Sequence, residues 1–188
     1  MTTLVTGAFG CIGAWTIRGL LAAGEHPVVF DLGDDPWCVR MIAGPDAPGR
    51  DFGLTADPTL AMKAAVLGRR FQIRWGGATD LIYTEDVARA LIKASRAGLD
   101  RARVYNLHGS ASAIADVVRT IETAWPQAKG LITHAEQALP FPAALDDTRY
   151  QRDLGPATPT ALVDGVRRTL DEFARLHADG RLDARELG

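Results

Sequence analysis

Three glycines near the amino terminus carry the clearest chemical signal in this sequence. Gly7, Gly10 and Gly13 are spaced as Gly-x-x-Gly-x-x-Gly in the stretch VTGAFGCIG. The first glycine permits a tight turn, the second lets the backbone approach a pyrophosphate, and the third lets a helix pack against a strand. A helix that begins at such a turn offers free N–H groups and the positive end of its dipole to phosphate. The spacing therefore predicts a cradle for a dinucleotide.

An acidic residue follows at the distance that a dinucleotide site needs. Asp31 ends the apolar run HPVVFD, about 20 residues beyond the glycines. A carboxylate there can accept both hydroxyls of an adenosine ribose and repels a 2′-phosphate, which favours NAD over NADP. The alternative is a glycine-rich turn and an Asp that caps something local. The residues predicted to bind the cofactor are Gly7, Phe9, Gly10, Cys11, Ile12, Gly13, Asp31 and Leu32.

The hydrophobic pattern predicts the elements that position these residues. A strand over 3–6, a helix over 11–23 and a strand over 26–31 form a βαβ unit, with Gly24 at the position of a left-handed helix end. Beyond a Pro- and Gly-rich connector, further helices and strands are predicted. The helices are 57–67, 84–97, 114–124 and 160–177, and the strands are 71–75, 104–107 and 131–133. Thr84 is expected to cap its helix. The alternation of helices and strands indicates an α/β protein.

Four segments together resemble the NAD-dependent epimerase/dehydratase family, the extended short-chain dehydrogenases. They are TLVTGAFGCIGAWTIRGLLAAGEHPVVFDL, PGRDFGLTADPTLAMKAAVLGRRFQIRWGG, DLIYTEDVARAL and DLGPATPTALVDGVRRTLDEF. The resemblance implies a Rossmann-like α/β fold with an incomplete parallel sheet, helices on both faces and a small C-terminal α+β remnant of the substrate lobe. Residues 1–43 would form the dinucleotide-binding βαβ half, and residues 44–188 would pack as one domain. The implied cofactor is NAD, and the implied reaction is hydride transfer at a sugar-like hydroxyl.

The sequence departs from that family where its catalytic residues belong. The family places several strands and helices, with a catalytic Ser or Thr and a Tyr-x-x-x-Lys pair, between the second strand and the Pro-Gly-Arg segment. Here Asp31 and Pro48 are separated by only about 16 residues, too few for one crossover. None of Tyr83, Tyr105 and Tyr150 has a lysine four residues later. The catalytic residues are therefore unknown, and the helices through which the family dimerises are missing, so the oligomeric state stays open.

Two interpretations follow. The chain is an NAD-dependent oxidoreductase or epimerase by descent, or it is a non-catalytic remnant that binds a dinucleotide or serves as an interaction module. On mechanism the second is favoured, because nothing replaces the Tyr/Lys pair. The three lysines, Lys63, Lys93 and Lys129, are expected to be solvated.

Composition excludes several other classes. The net charge of −2 gives no electrostatic footprint for nucleic acid or an anionic membrane. No window approaches the roughly 18 apolar residues of a membrane span. Two cysteines are too few for a disulfide framework, and the histidines lack metal-ligand spacing, so no metal is expected. We expect a cytoplasmic protein whose partners are a dinucleotide and a sugar-like small molecule.

Overall fold

The fold combines short helices with strands that pair two by two. The computed structural model describes residues 3–33, 39, 42 and 56–187. The strands are β1 (Leu4–Thr6), β2 (Val28–Phe30), β3 (Phe71–Ile73), β4 (Ala78–Leu81), β5 (Ser110–Ala113) and β6 (Ile132–His134). The helices are α1 (Cys11–Ala22), α2 (Asp57–Val66), α3 (Thr84–Arg96), α4 (Ile114–Ala124), α5 (Thr148–Leu154) and α6 (Leu162–Ala178), with 3-10 turns at Pro126–Ala128 and Arg185–Leu187. The pairs β1–β2 and β3–β6 are parallel, and β4–β5 is antiparallel. The predicted α/β class is confirmed.

The chain forms two compact units, each assembled from separate stretches. Unit 1 comprises Met1–Gly49, Ile82–Leu107 and Asp146–Pro159, and unit 2 comprises Arg50–Leu81, His108–Leu145 and Thr160–Gly188. The domain boundary predicted between residues 43 and 44 lies outside the described residues and stays a prediction.

Unit 1 contains the predicted βαβ element. Leu4 pairs with Val28 at the start of the β1–β2 ladder, and α1 connects the two strands. Helix α1 ends at Ala22, and Gly24 follows with a φ of 76°, in the left-handed region predicted for it. The N–H of Gly24 donates to the carbonyl of Leu21 at 2.9 Å. The glycine loop and α1 therefore lie between β1 and the turn at Gly24.

A small core joins α1 to the strands and to α3. Its buried side chains include Val5, Ile17 and Leu20, with Ile92 packed against them. The next residue, Leu21, is 45% exposed and lies outside this core.

The strand β2 is open to solvent along its whole length. Val28, Val29 and Phe30 are 52%, 43% and 57% exposed. Parallel strands of α/β proteins are normally covered on both faces by helices. The predicted incompleteness of the parallel sheet is thus visible in unit 1 as apolar strand residues in contact with water.

Unit 2 has the larger core, which α2, α4 and α6 form around β3 and β6. The fully buried members include Ile73, Ile114, Ile121 and Leu170. Asp57, at the first position of α2, is also fully buried. Its carboxylate accepts hydrogen bonds from the backbone N–H of Arg74 at 2.7 Å and from the guanidinium Nη2 at 2.7 Å. This ion pair ties the start of α2 to the end of β3.

Two predictions about local structure were wrong. Residues 104–107 are not a strand, because Tyr105 makes side-chain contacts instead of a backbone ladder: its hydroxyl donates to Asp153 at 3.1 Å. The strand that follows is β5, which pairs with β4. Helix α3 begins after Tyr83 without a side-chain cap, so Thr84 does not cap it.

Candidate functional site

The glycine loop turns sharply between β1 and α1. Gly7 has a φ of 64°, a conformation that side-chain-bearing residues rarely adopt. The N–H of Gly10 donates back to the Gly7 carbonyl at 3.2 Å, and the N–H of Ala8 donates to the Phe30 carbonyl on β2 at 3.4 Å. The loop is therefore closed on itself and attached to the neighbouring strand.

Gly13 and Gly10 are needed for different reasons. A Cβ at Gly13 would lie 2.1 Å from the Gly7 carbonyl oxygen and 2.8 Å from Ala8 Cα, so only glycine lets α1 approach the loop. A Cβ at Gly10 would meet the Gly7 oxygen at 3.5 Å and no other atom of the described residues within 4 Å. The space in front of Gly10 is open, as it must be if a ligand approaches the backbone there.

The start of α1 suits an anion. Gly10 occupies the N-cap position and has no side chain that could cap the helix, and the first turn contains no acidic residue. The first N–H groups of any helix lack acceptors within the helix and carry its positive dipole end. Gly7, Gly10 and Ile12 are exposed at this end. A phosphate group would meet both the N–H donors and the dipole.

Asp31 lies directly beside the loop. Its Oδ2 accepts the N–H of Phe9 at 2.7 Å, and its Oδ1 accepts the N–H of Gly33 at 3.0 Å. The hydrogen bonds from Gly33 and then from Phe9 outweigh desolvation and lower the pKa of the carboxyl. The group is therefore ionised at neutral pH. Leu32, the next residue, is 95% exposed.

The structure thus brings all the predicted cofactor residues to one end of the β1–β2 pair. Gly7, Phe9, Gly10, Cys11, Ile12 and Gly13 form the loop and first turn, and Asp31 and Leu32 follow β2. Their role in binding stays a prediction.

The tyrosines of unit 1 occupy structural positions. Tyr150 is buried, and its ring meets that of Tyr105 edge-on at a centroid distance of 5.8 Å. Burial, followed by the charge of Asp147, raises the pKa of Tyr150. Burial and the hydrogen bond to Asp153 raise the pKa of Tyr105. A tyrosine that acts as a general base near neutral pH needs a lowered pKa, so both shifts run the wrong way. The ring of Tyr83 instead meets that of Trp15 at an angle of 57°, with centroids 6.2 Å apart.

The lysines do not supply what these tyrosines lack. Lys93 is exposed, as predicted, and its Nζ lies 5.9 Å from the ring centroid of Tyr150. Lys129 is also exposed. The prediction for Lys63 was wrong: this side chain is 1% exposed, in the core of unit 2, with Nζ 5.7 Å from the ring centroid of Phe173. Helix α2 is buried on nearly every side. The sequence around Lys63, a lysine among alanines, does not indicate this burial.

A buried carboxylate in unit 2 was not predicted from the sequence. Asp80 on β4 accepts the N–H of Gly109 at 2.7 Å and the N–H of Leu145 at 2.9 Å. It also contacts His108 Nδ1 at 2.6 Å. Burial acts to raise its pKa, but these hydrogen bonds prevail and the pKa is lowered. Asp80 therefore connects β4 to the segments at Gly109 and Leu145, and no local pattern in the sequence indicates these contacts.

Within the described ranges, no three or more His, Cys, Asp or Glu side chains gather as a metal site would require. The same part of the chain contains no helix with the length and apolar character of a membrane span.

The chain matches no family model and no curated protein. It is similar to solved structures of enzymes. One is WbmF from Bordetella bronchiseptica in complex with NAD+ and UDP, with 15% identity, a TM-score of 0.66, and coverage of 95% of this chain and 93% of that one. Another is UDP-glucuronic acid 4-epimerase from Bacillus cereus in complex with NAD, with 13% identity, a TM-score of 0.66, and coverage of 94% and 100%.

A third similar structure is a partial consensus L-threonine 3-dehydrogenase, with 19% identity, a TM-score of 0.60 and coverage of 86% of this chain. The match spans 53% of that protein's length. At such identities the likeness establishes the fold, and the Rossmann-like fold implied by the family resemblance is confirmed.

Proposed function

We propose that the chain binds NAD at the glycine loop and that it does not catalyse the hydride transfer typical of the family it resembles. The observation that carries the binding half is the open space in front of Gly10, beside a loop in which Gly13 is required by contact. A turn kept only for packing needs Gly13 but has no need of free space before Gly10.

The residues present fit the groups of a dinucleotide. The N–H groups of the first turn of α1 would hold the pyrophosphate, and Asp31 would accept the hydroxyls of the adenosine ribose. The exposed side chains of Ile12 and Leu32 would cover the adenine. Asp31 is ionised and would repel a 2′-phosphate, so NAD is preferred to NADP. When bound, the nicotinamide is the group that takes up or releases a hydride.

The catalytic half of the proposal rests on the tyrosines. Tyr105 and Tyr150 have raised pKa values, and neither they nor Tyr83 are followed by the lysine that would lower a pKa. The competing function is an NAD-dependent oxidoreductase or epimerase that acts on a sugar-like hydroxyl. It is favoured by the likeness to WbmF, whose structure contains both NAD+ and UDP.

Thermal unfolding in the presence of NAD tests the binding. At a concentration 100 times Kd, a ligand that binds only the folded state stabilises it by about 2.7 kcal/mol, which raises the midpoint by several degrees. Gly10→Val should abolish this rise and leave the midpoint of the free protein nearly unchanged, because the backbone at Gly10 is extended and the space is open.

Ala22→Val is the matched control, since Ala22 is exposed at the opposite end of α1. This variant should retain the full response to NAD. No response of the wild-type protein at millimolar NAD contradicts the binding half. Formation of NADH with a sugar nucleotide or hydroxy acid, lost when one tyrosine is replaced by Phe, contradicts the catalytic half.

A further inference from the structure

The carboxylate of Asp31 touches the loop that would hold the phosphates. Phe9, whose N–H it accepts at 2.7 Å, lies between the first two glycines of the loop. The other ties described for the loop are longer: 3.4 Å from Ala8 to Phe30, and 3.2 Å from Gly10 to Gly7. Hydrogen bonds to an ionised acceptor are roughly twice as strong as those between neutral groups. Among the described residues, the contact with Asp31 is therefore the strongest hydrogen bond between the loop and the end of β2.

The same carboxylate keeps room for a ligand. A carboxylate offers about four lone-pair sites, and the N–H groups of Phe9 and Gly33 take one on each oxygen. The remaining sites can accept ribose hydroxyls without releasing either N–H. One side chain can thus hold the loop and contact the ribose at the same time.

We infer that Asp31 is a positioning residue for the phosphate half of the site, acting through the N–H of Phe9, in addition to its contact with the ribose. This inference rests on the proposed binding of NAD. It has a consequence that a ribose contact alone lacks: changing Asp31 weakens the binding of ligands that have no ribose hydroxyls.

Asp31→Asn is the sharpest substitution. An amide of nearly the same size has one acceptor oxygen, and its NH2 group then faces either Phe9 N–H or Gly33 N–H, which are both donors. One of the two backbone hydrogen bonds must be lost. If the amide oxygen faces Phe9, the hydrogen bond with its N–H becomes neutral and about half as strong as the charge-assisted one; if the NH2 group faces Phe9, that hydrogen bond is lost. In either orientation the loop is attached less strongly to the end of β2.

The experiment compares two ligands with two proteins. ADP has the ribose hydroxyls, and 2′,3′-dideoxy-ADP does not, while both have the same diphosphate. By isothermal titration, Asp31→Asn should weaken the dideoxy ligand roughly tenfold, as expected when one charge-assisted hydrogen bond is lost. ADP should be weakened further, because it also loses its contacts with the carboxylate.

Asp146→Asn is the matched control. Asp146 likewise accepts the N–H of the residue two positions on, Thr148, at 2.9 Å, but it is not part of the glycine loop. This variant should bind both ligands as the wild type does. In the free protein, the Phe9 amide should exchange with deuterium at least several-fold faster in Asp31→Asn than in Asp146→Asn.

The outcomes separate the inference from the proposed function. If the wild type binds ADP and Asp31→Asn binds the dideoxy ligand equally well, the inference is wrong and the proposed function stands. If the wild type binds neither ADP nor NAD, both fail. An unchanged exchange rate at Phe9 in Asp31→Asn also overturns the inference, independently of any ligand.

Discussion

Replacing Gly13 by alanine changes the free energy of unfolding, and the sign of that change shows whether helix propensity or packing has the larger effect. Gly13 lies in the first turn of α1, and propensity alone predicts that alanine stabilises a helix by up to about 1 kcal/mol relative to glycine. The packing at this position predicts the opposite, because the added Cβ would lie 2.1 Å from the Gly7 carbonyl oxygen.

The size of the packing effect follows from that distance. Carbon and oxygen atoms in close contact lie about 3.3 Å apart, so the loop must retreat from the helix by roughly 1 Å. Overpacking of this kind costs about 1–3 kcal/mol, and the movement also strains the hydrogen bond between Phe9 and Asp31. After the gain in propensity, we expect Gly13→Ala to lower the free energy of unfolding by about 2 kcal/mol.

Gly19→Ala on the same helix is the control. Its Cβ would meet the Cδ1 of Ile92 at 2.9 Å, the movable end of a side chain and not backbone. We expect its stability to equal or exceed that of the wild type by up to about 1 kcal/mol. Urea and thermal unfolding followed by far-UV circular dichroism measure both variants, and 2 kcal/mol corresponds to roughly 4–8 °C for a chain of this size. A midpoint for Gly13→Ala at or above that of Gly19→Ala would show that helix propensity outweighs the contact between α1 and the loop.

Three further predictions concern unit 2. The pKa of Asp80 is lowered in the folded protein, so the stabilisation that its carboxylate provides is present above the unfolded pKa of about 3.9 and is lost as the pH falls through the folded value. In Asp80→Asn, the urea midpoint measured against pH should therefore lose part of its fall at acid pH. An unchanged profile would show that His108 and the backbone do not stabilise the anion. Asp57→Ala removes a fully buried carboxylate from its ion pair with Arg74, whose side chain is 63% exposed. Urea unfolding should show that the free energy of unfolding falls by about 2 kcal/mol, compared with about 0.5 kcal/mol for the loss of an exposed pair. Trp75→Phe removes a buried indole N–H that has no hydrogen-bond partner among the described residues. Because removal of an unpaired buried donor offsets the lost packing, the free energy of unfolding in the same assay should fall by less than about 1 kcal/mol. A fall of about 3 kcal/mol would mean that the N–H has a hydrogen-bond partner in solution.

The parts of the site that could be predicted are those whose geometry depends on nearby residues. A positive φ at Gly7 and at Gly24 follows from the turn and the helix end that each must make. The position of Asp31 beside the loop follows from the βαβ connection alone, since a parallel strand ends at the same edge as its partner.

The failures arose where tertiary contacts outweigh local pattern. Lys63 is buried because α2 lies inside the core of unit 2, and no periodicity marks a helix that is covered on nearly all sides. The segment around Tyr105 has the β-branched and aromatic residues of a strand, but its side chains bond to α5 in place of a ladder. The small residues of β5 (SASA) have low strand propensity, and pairing with β4 makes them a strand nonetheless.

The open strand of unit 1 gives the proposed ligand a structural consequence. Two short parallel strands with apolar residues exposed along β2 are marginal by themselves. A dinucleotide that contacts both the loop after β1 and Asp31 after β2 would join the ends of the two strands. Because a ligand that binds only the folded state stabilises that state by mass action, NAD would protect the amides of β1 and β2 from hydrogen exchange more than those of β3 and β6. In the proposed complex, binding and sheet stability would be one equilibrium, so NAD would have a structural effect that needs no catalytic tyrosine.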